Sequence, residues 1–217
     1  MMQEELWRTI SEASNCMWYL QKQRAGEVTL AALAKHYDNG NIIAIISAGK
    51  LGQNENKVAQ SFRLMLTTFY ELGFGCLVPE KYTEEPLIKN SIIVFARKER
   101  AHELFLILQA LVRRCRLKTF LFARQSGLNS VACYNKYGVL QDDFVYAHWD
   151  NALIGKFFAR VLEKPVDFDV ERAEVIYHDP LGHNVMGFHM LYLHRLELMN
   201  NGADNFVTKM LDKLRIE

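Results

Sequence analysis

Asn41-Ile-Ile-Ala-Ile-Ile-Ser47 sets the architecture of this chain. No polar residue interrupts the run, so it lacks the alternation of a strand with one wet face. A short β-branched run of this kind, bounded by turn residues, is a strand buried on both faces. Asp38-Asn39-Gly40 is the turn before it. Ala48-Gly-Lys-Leu-Gly-Gln53 is the loop after it.

Working outward, Asn54 is placed to cap a helix from Glu55 to about Leu72. Val58, Phe62, Met65, Leu66, Phe69 and Leu72 fall on one stripe of that helix, and Gly73 and Gly75 end it. Phe74–Val78 reads as a shorter strand, and Pro79 to Pro86 as a polar loop. Ser91-Ile-Ile-Val-Phe-Ala96 is a second apolar strand. Glu99 to about Arg116 is a helix with Leu104, Phe105, Leu108, Leu111 and Val112 on one side. Lys118–Arg124 is a further strand, and Ser130–Tyr134 can pair beside it across the Gly127-Leu-Asn129 turn.

Residues 41–124 therefore read β-α-β-β-α-β, the split βαβ, ferredoxin-like order. The expected class is α+β: a mixed or antiparallel sheet with the two helices on one face and the other face open. The alternative is an α/β three-layer, doubly wound parallel fold.

On the N-terminal side, Leu6, Ile10, Ala13, Met17 and Leu20 share one face of a predicted helix over residues 3–24. Thr29 is placed to cap a second short helix through Lys35. On the C-terminal side, Trp149–Glu163 is helical, Glu171–His178 is a strand, and Pro180-Leu-Gly-His-Asn184 is its turn. Val185–Leu198 fits either a returning strand or a helix. Asp204–Leu214 is a terminal helix, with Asp204 near its start and Lys213 and Arg215 near its end, as the helix dipole prefers. The divisions are an N-terminal helical segment (1–40), an α/β core (41–135) and a C-terminal α+β extension (136–217), packed as one domain.

The segment Ile42–Arg124 resembles an uncharacterised bacterial family, domain of unknown function three-two-nine-three. The likeness rests on the strand Ile42–Ser47 and its polar loop to Leu51, Glu55-Asn56 opening a helix, Leu72-Gly73 closing it, and Asn90-Ser91-Ile-Ile-Val94 leading the next strand. Gly49-Lys50 takes the place of the Asn-Pro of that pattern. The resemblance implies this order of elements and carries no activity with it.

Half of the 217 residues are apolar and 12% are aromatic, which suits a packed core and excludes a disordered chain. A formal net charge of +1 excludes the global field of a DNA-coating protein or an acidic DNA mimic. Cys16, Cys76, Cys115 and Cys133 form no CxxC pair and are expected to be reduced core thiols. The start Met-Met-Gln-Glu-Glu is not a secretory signal, and no apolar run reaches the ~18 residues of a membrane span. The expected location is the cytoplasm, with no cofactor.

Four chemistries are available. The strand-loop-helix at 47–63 can expose amide hydrogens to an anion, with Lys50, Gly52, Asn54, Asn56 and Arg63 as ligand-binding candidates and Lys57 as added charge. It lacks the spacing of a nucleotide P-loop, and the plain alternative is a capped, solvated turn. The second is a metal site from His178, Asp179 and His183, with His189 and His194 beyond, although no His-x-x-x-His pair occurs. The third is a basic cluster, Arg97, Lys98, Arg100, Arg113, Arg114 and Arg116, continued by Lys118 and Arg124, against only Glu99 and Glu103. As a nucleic-acid surface it would use Phe120 and Phe122 on the open sheet face; the plain alternative is dipole compensation and a covered sheet. The fourth is a nucleophile from Ser47, Ser91 or Cys76, none of which lies in an activating motif.

The function favoured by these features is a non-catalytic binding or regulatory protein of a bacterial or mobile-element type, with a protein or nucleic-acid partner. The competing functions are a small enzyme holding a phosphorylated or nucleotide-like ligand at 47–56, and a metal-dependent hydrolase using the C-terminal histidines.

Overall fold

Burial on both faces is the property that organises the molecule. In the computed structural model of the protein, which describes residues 27–29, 37–38, 40–50, 52–78, 88, 90–124, 131–146, 151–163, 172–177, 193–194 and 196–216, every residue of strand β2 (Ile42–Ser47) is buried. Ile42, Ala44 and Ile46 enter one apolar cluster, and Ile43 and Ile45 enter another on the opposite face. Strand β4 (Ser91–Ala96) behaves alike: Ile92 and Val94 face the first cluster, and Ile93 and Phe95 the second. The two central strands pair antiparallel from Ile42↔Ala96 to Ser47↔Ser91.

Helix α1 (Glu55–Glu71) begins where predicted, with Asn54 accepting from the Asn56 amide at 2.9 Å. It ends in a Schellman closure: Gly73 has φ 66, and Phe74 N donates to Phe69 O at 2.9 Å. Strand β3 (Gly75–Val78) follows. After β4, a 3-10 turn (Lys98–Arg100) leads into α2 (Ala101–Arg114) and β5 (Thr119–Arg124). Strands β6 (Val131–Asn135) and β7 (Leu140–Tyr146), helix α3 (Asn151–Leu162), strand β8 (Arg172–Tyr177) and helix α4 (Ala203–Ile216) complete the described elements, with a short strand β1 (Glu27–Thr29) before them.

The chain is α+β. The eight strands among the described residues form one sheet in the order β1-β8-β3-β4-β2-β5-β6-β7, with every neighbouring pair antiparallel. Strands joined by a helix are never neighbours: β4 lies between β2 and β3, and β2 lies between β4 and β5. Antiparallel pairing throughout is incompatible with the parallel doubly wound alternative. The sheet draws β1 from the N-terminal segment and β7 and β8 from the C-terminal one.

Two sequence expectations differ from the structure. The crossover helices α1 and α2 share one face with α4, but the face expected to be open is covered by α3, through Leu153, Ile154, Phe157, Phe158 and Leu162. The residues of α3 already showed an apolar stripe; its destination was what the sequence withheld. Thr29 is extended and pairs with Arg172, and the helix expected after it lies outside the described residues. Strand β7 was absent from the sequence reading because Asp142 and Asp143 lie mid-strand, and Asp is poorly represented in strands. The segment 185–198, which fitted strand or helix, is helical at 193–194 and 196–198, its described residues. The predicted helix carrying Trp7 and Trp18, most of the helix expected after Thr29, the 79–86 loop, the 127–129 turn, Cys16, His178, Asp179, His183 and His189 lie outside the described residues.

Candidate nucleic-acid interface

The loop after β2 is a closed turn. Gln53 N donates to Lys50 O at 3.1 Å, and Lys50 N donates to the Gln53 side chain at 3.2 Å. Gly52, with φ 73, takes the position where such a turn requires a left-handed residue. A Cβ added there would meet nothing within 4 Å, so the glycine serves backbone conformation rather than close approach of a ligand. The amides of Asn56, Lys57 and Val58 are engaged by Asn54. Much of the expected anion cradle is thus spent on its own cap. Lys50, Gly52, Asn54 and Asn56 are exposed, and Arg63 stands exposed two turns along α1, about 10 Å of helix rise from Asn56.

The sheet register decides what this loop has for neighbours. Ile45 pairs with Leu121, and Thr119 pairs with Asn135. The end of β2, the start of β5 and the end of β6 therefore finish side by side, within about 10 Å at ordinary strand spacing. One end of the sheet gathers the 48–54 loop, the α2–β5 connection and the β6–β7 turn. Lys50, Arg114, Arg116, Lys118 and Lys136 are exposed there, and the carboxylates at this end among the described residues are Glu55, Glu163 and Asp204, the last held by the same Arg113 that donates to Lys136 O. Lys118 is paired with Glu163, whose carboxyl it holds below its usual value. Among the described residues, no carboxylate pairs with Lys50, Arg114, Arg116 or Lys136.

Arg116 is the telling residue of this group. It closes α2 in the left-handed region at φ 56, where glycine is favoured, while Leu117 N donates to Val112 O at 2.9 Å. An L-residue in that conformation costs roughly 1–2 kcal/mol. The chain keeps an exposed arginine at a helix end that a glycine would close with less strain.

The β6–β7 turn was missed from sequence. Asn135 Oδ1 accepts from Tyr137 N at 2.9 Å and Val139 N at 3.1 Å, Gly138 N donates to Asn135 O at 2.9 Å, and Arg113 donates to Lys136 O at 3.3 Å. Gly138 has φ 74, and a Cβ there would lie 1.8 Å from the Gln109 side chain. This fixed turn presents Tyr137 at 68% exposure, with the Lys136 ammonium 4.9 Å from its ring centroid. The usable signal was Asn135-Lys-Tyr-Gly138 itself, a turn sequence holding a large aromatic that no core pattern requires.

The remaining basic candidates go elsewhere. Because Ile42 pairs with both Ala96 and Arg124, residues Arg97, Lys98 and Arg124 lie at the opposite end of the sheet. Arg100 is withdrawn from the surface altogether. It is 5% exposed, bridges Glu103 through two nitrogens at 3.1 and 2.7 Å, donates to Leu72 O and Gly73 O, and stacks 4.0 Å from the Phe74 ring centroid. It caps the C-terminus of α1. Arg113 is bidentate to Asp204 and ties α2 to α4. Phe120 and Phe122 are not on an open face: both are buried and pack edge-on against Phe105 of α2.

Ser47 and Ser91 are buried. Burial pushes the Cys76 thiol far up, that of Cys133 up to about 11, and that of Cys115 up as well, the opposite of an activated nucleophile. His194 donates from Nδ1 to Glu71 O, 2.7 Å away. Among the described residues no three His, Cys, Asp or Glu side chains cluster as metal ligands, and no helix is long and apolar enough to cross a membrane. No protein-family model, no curated protein and no solved structure matches the chain.

Proposed function

We propose that this protein is a non-catalytic nucleic-acid-binding protein that acts through the basic end of its sheet. The observation that carries this is the register of β2, β5 and β6, which assembles Lys50, Arg114, Arg116 and Lys136 from three separate parts of the chain. Among the described residues no carboxylate pairs with these four cations, which leaves them available to phosphates, and such contacts supply most sequence-independent affinity. Arg116 supports the same reading, since its exposed guanidinium pairs with no carboxylate among the described residues at a helix end that a glycine would close with less strain. The self-engaged amides of the 50–58 turn weigh against an enzyme gripping a small phosphorylated ligand there.

Fluorescence anisotropy with labelled oligonucleotides at a series of salt concentrations tests the proposal. Binding should weaken as salt rises, with a log–log slope set by the number of phosphates engaged. The pair Arg116→Glu with Lys136→Glu should weaken binding and flatten that slope. Arg97→Glu with Lys98→Glu, at the far end, should do neither. Equal losses from both pairs, or no binding at low salt, would remove the basis for the proposal.

A further inference from the structure

We infer that the ligand of this surface is single-stranded nucleic acid, with one base stacked on Tyr137. The inference rests on the basic end of the sheet being a nucleic-acid site and adds which form of nucleic acid it takes.

Tyr137 is a large ring exposed at 68%, and it is not exposed by default. Its turn is held by Asn135, whose side chain accepts two amides, by the Gly138 amide on Asn135 O, and by Arg113 on Lys136 O. Arg113 is itself anchored to Asp204 at 2.7 Å. Gly138 sits so close to Gln109 that the turn is seated on α2. A ring presented on a braced turn loses little freedom when a partner covers it. Lys136 lies over the ring and is positioned to meet the phosphate adjoining a stacked base. The neighbouring Arg116 and Arg114 extend the charge toward Lys50.

An aromatic platform beside a track of cations is how single strands are held without sequence readout, because every base offers a π-face. In a duplex the bases are already stacked on one another, and a projecting tyrosine finds only the sugar-phosphate exterior. Val139 and Leu140, exposed at 57% and 39%, widen the apolar step that a splayed base would cover. A protein partner is the competing occupant; Lys136 over the ring, with Lys50, Arg114 and Arg116 at the same end of the sheet, favours a polyanion instead.

The test compares a labelled oligothymidine with a duplex of equal length, by anisotropy on the full chain. The single strand should bind at least about tenfold more tightly. Tyr137→Ala should weaken single-strand binding about 5- to 150-fold, the range of one lost base stack. It should leave the duplex affinity and the salt slope unchanged, and Tyr137→Trp should restore the single-strand affinity. An unchanged melting temperature shows that the exposed ring was not needed for folding. Equal affinity for both forms, with Tyr137→Ala affecting neither, overturns the stacking inference and leaves the basic site standing. Absence of binding to either form at low salt overturns both.

Discussion

Replacing Arg100 by Met should cost stability and leave nucleic-acid affinity alone. The methionine keeps an unbranched apolar side chain but removes the guanidinium that stacks on Phe74, bridges Glu103 and closes two carbonyls at the end of α1. Glu103 is 9% exposed and loses its bidentate partner in a site with little water. Breaking one side of a buried pair costs about 3–5 kcal/mol. For a chain of this size each kcal/mol lowers the melting temperature by about 2–4 °C, so the expected fall is roughly 6–20 °C. Adding Glu103→Gln should recover part of it, because the uncompensated charge is then gone. Arg100→Lys should still lose stability, since one ammonium cannot serve a carboxylate and two carbonyls in a plane. Differential scanning fluorimetry and urea titration measure the loss, and anisotropy measures affinity. A loss under about 1 kcal/mol, or a fall in the salt slope of binding, would refute the assignment of Arg100 to the core.

Arg116→Gly should leave the fold as stable as before or up to about 1 kcal/mol more stable, since relief of the left-handed strain outweighs the added chain entropy, while oligonucleotide affinity falls. Gly75→Ala should destabilise by about 1–3 kcal/mol in urea melts, because its Cβ would lie 2.2 Å from the ring of Phe95 on the paired strand. Phe157→Ala, deep in the face covered by α3, should cost about 3–5 kcal/mol, and a negligible loss would mean that α3 does not seal that face. The buried thiols give a pH dependence of definite sign. Their native values lie above the ordinary 9.0, so their contribution is intact below that pH and is lost as pH rises beyond it and the unfolded chain ionises. The melting temperature should fall more gently above pH 9.0 when Cys76 and Cys133 are both alanine, and in a Cys16→Ser variant native protein should resist Ellman's reagent at about pH 8.

The core of the fold could be read from the residues because its signals are local. Ile42–Ser47 and Ser91–Ala96 are continuous apolar runs, and only a strand covered on both sides tolerates one. That same fact already implied a second covering layer. The expectation of an open face set the helix at 151–162 apart as an extension, when the buried Ile43, Ile45, Ile93 and Leu121 required something to lie on them. What the sequence could not supply was strand order at the edges. A three-residue strand, Glu27–Thr29, is too short to show a period, and β7 is polar at its centre.

The site was half legible for a related reason. Charge can be counted along a chain, but exposure and adjacency are set by pairing. Arg97, Lys98, Arg100, Arg113, Arg114 and Arg116 look like one cluster within twenty residues, yet α2 and its flanking strand ends carry them to two ends of the sheet and into its interior. Arg100 has the chemistry of a phosphate ligand and spends it on backbone carbonyls. Arg116, two residues past the end of α2, has no such outlet and stands beside Lys136, which the sequence places twenty positions later. The difference lies in where each guanidinium finds its acceptors. An arginine satisfied inside the fold reports on stability. One left exposed without a carboxylate partner among the described residues is available to a phosphate, as proposed for Arg116, and the two roles separate in a single pair of measurements: melting temperature for Arg100, salt-dependent affinity for Arg116.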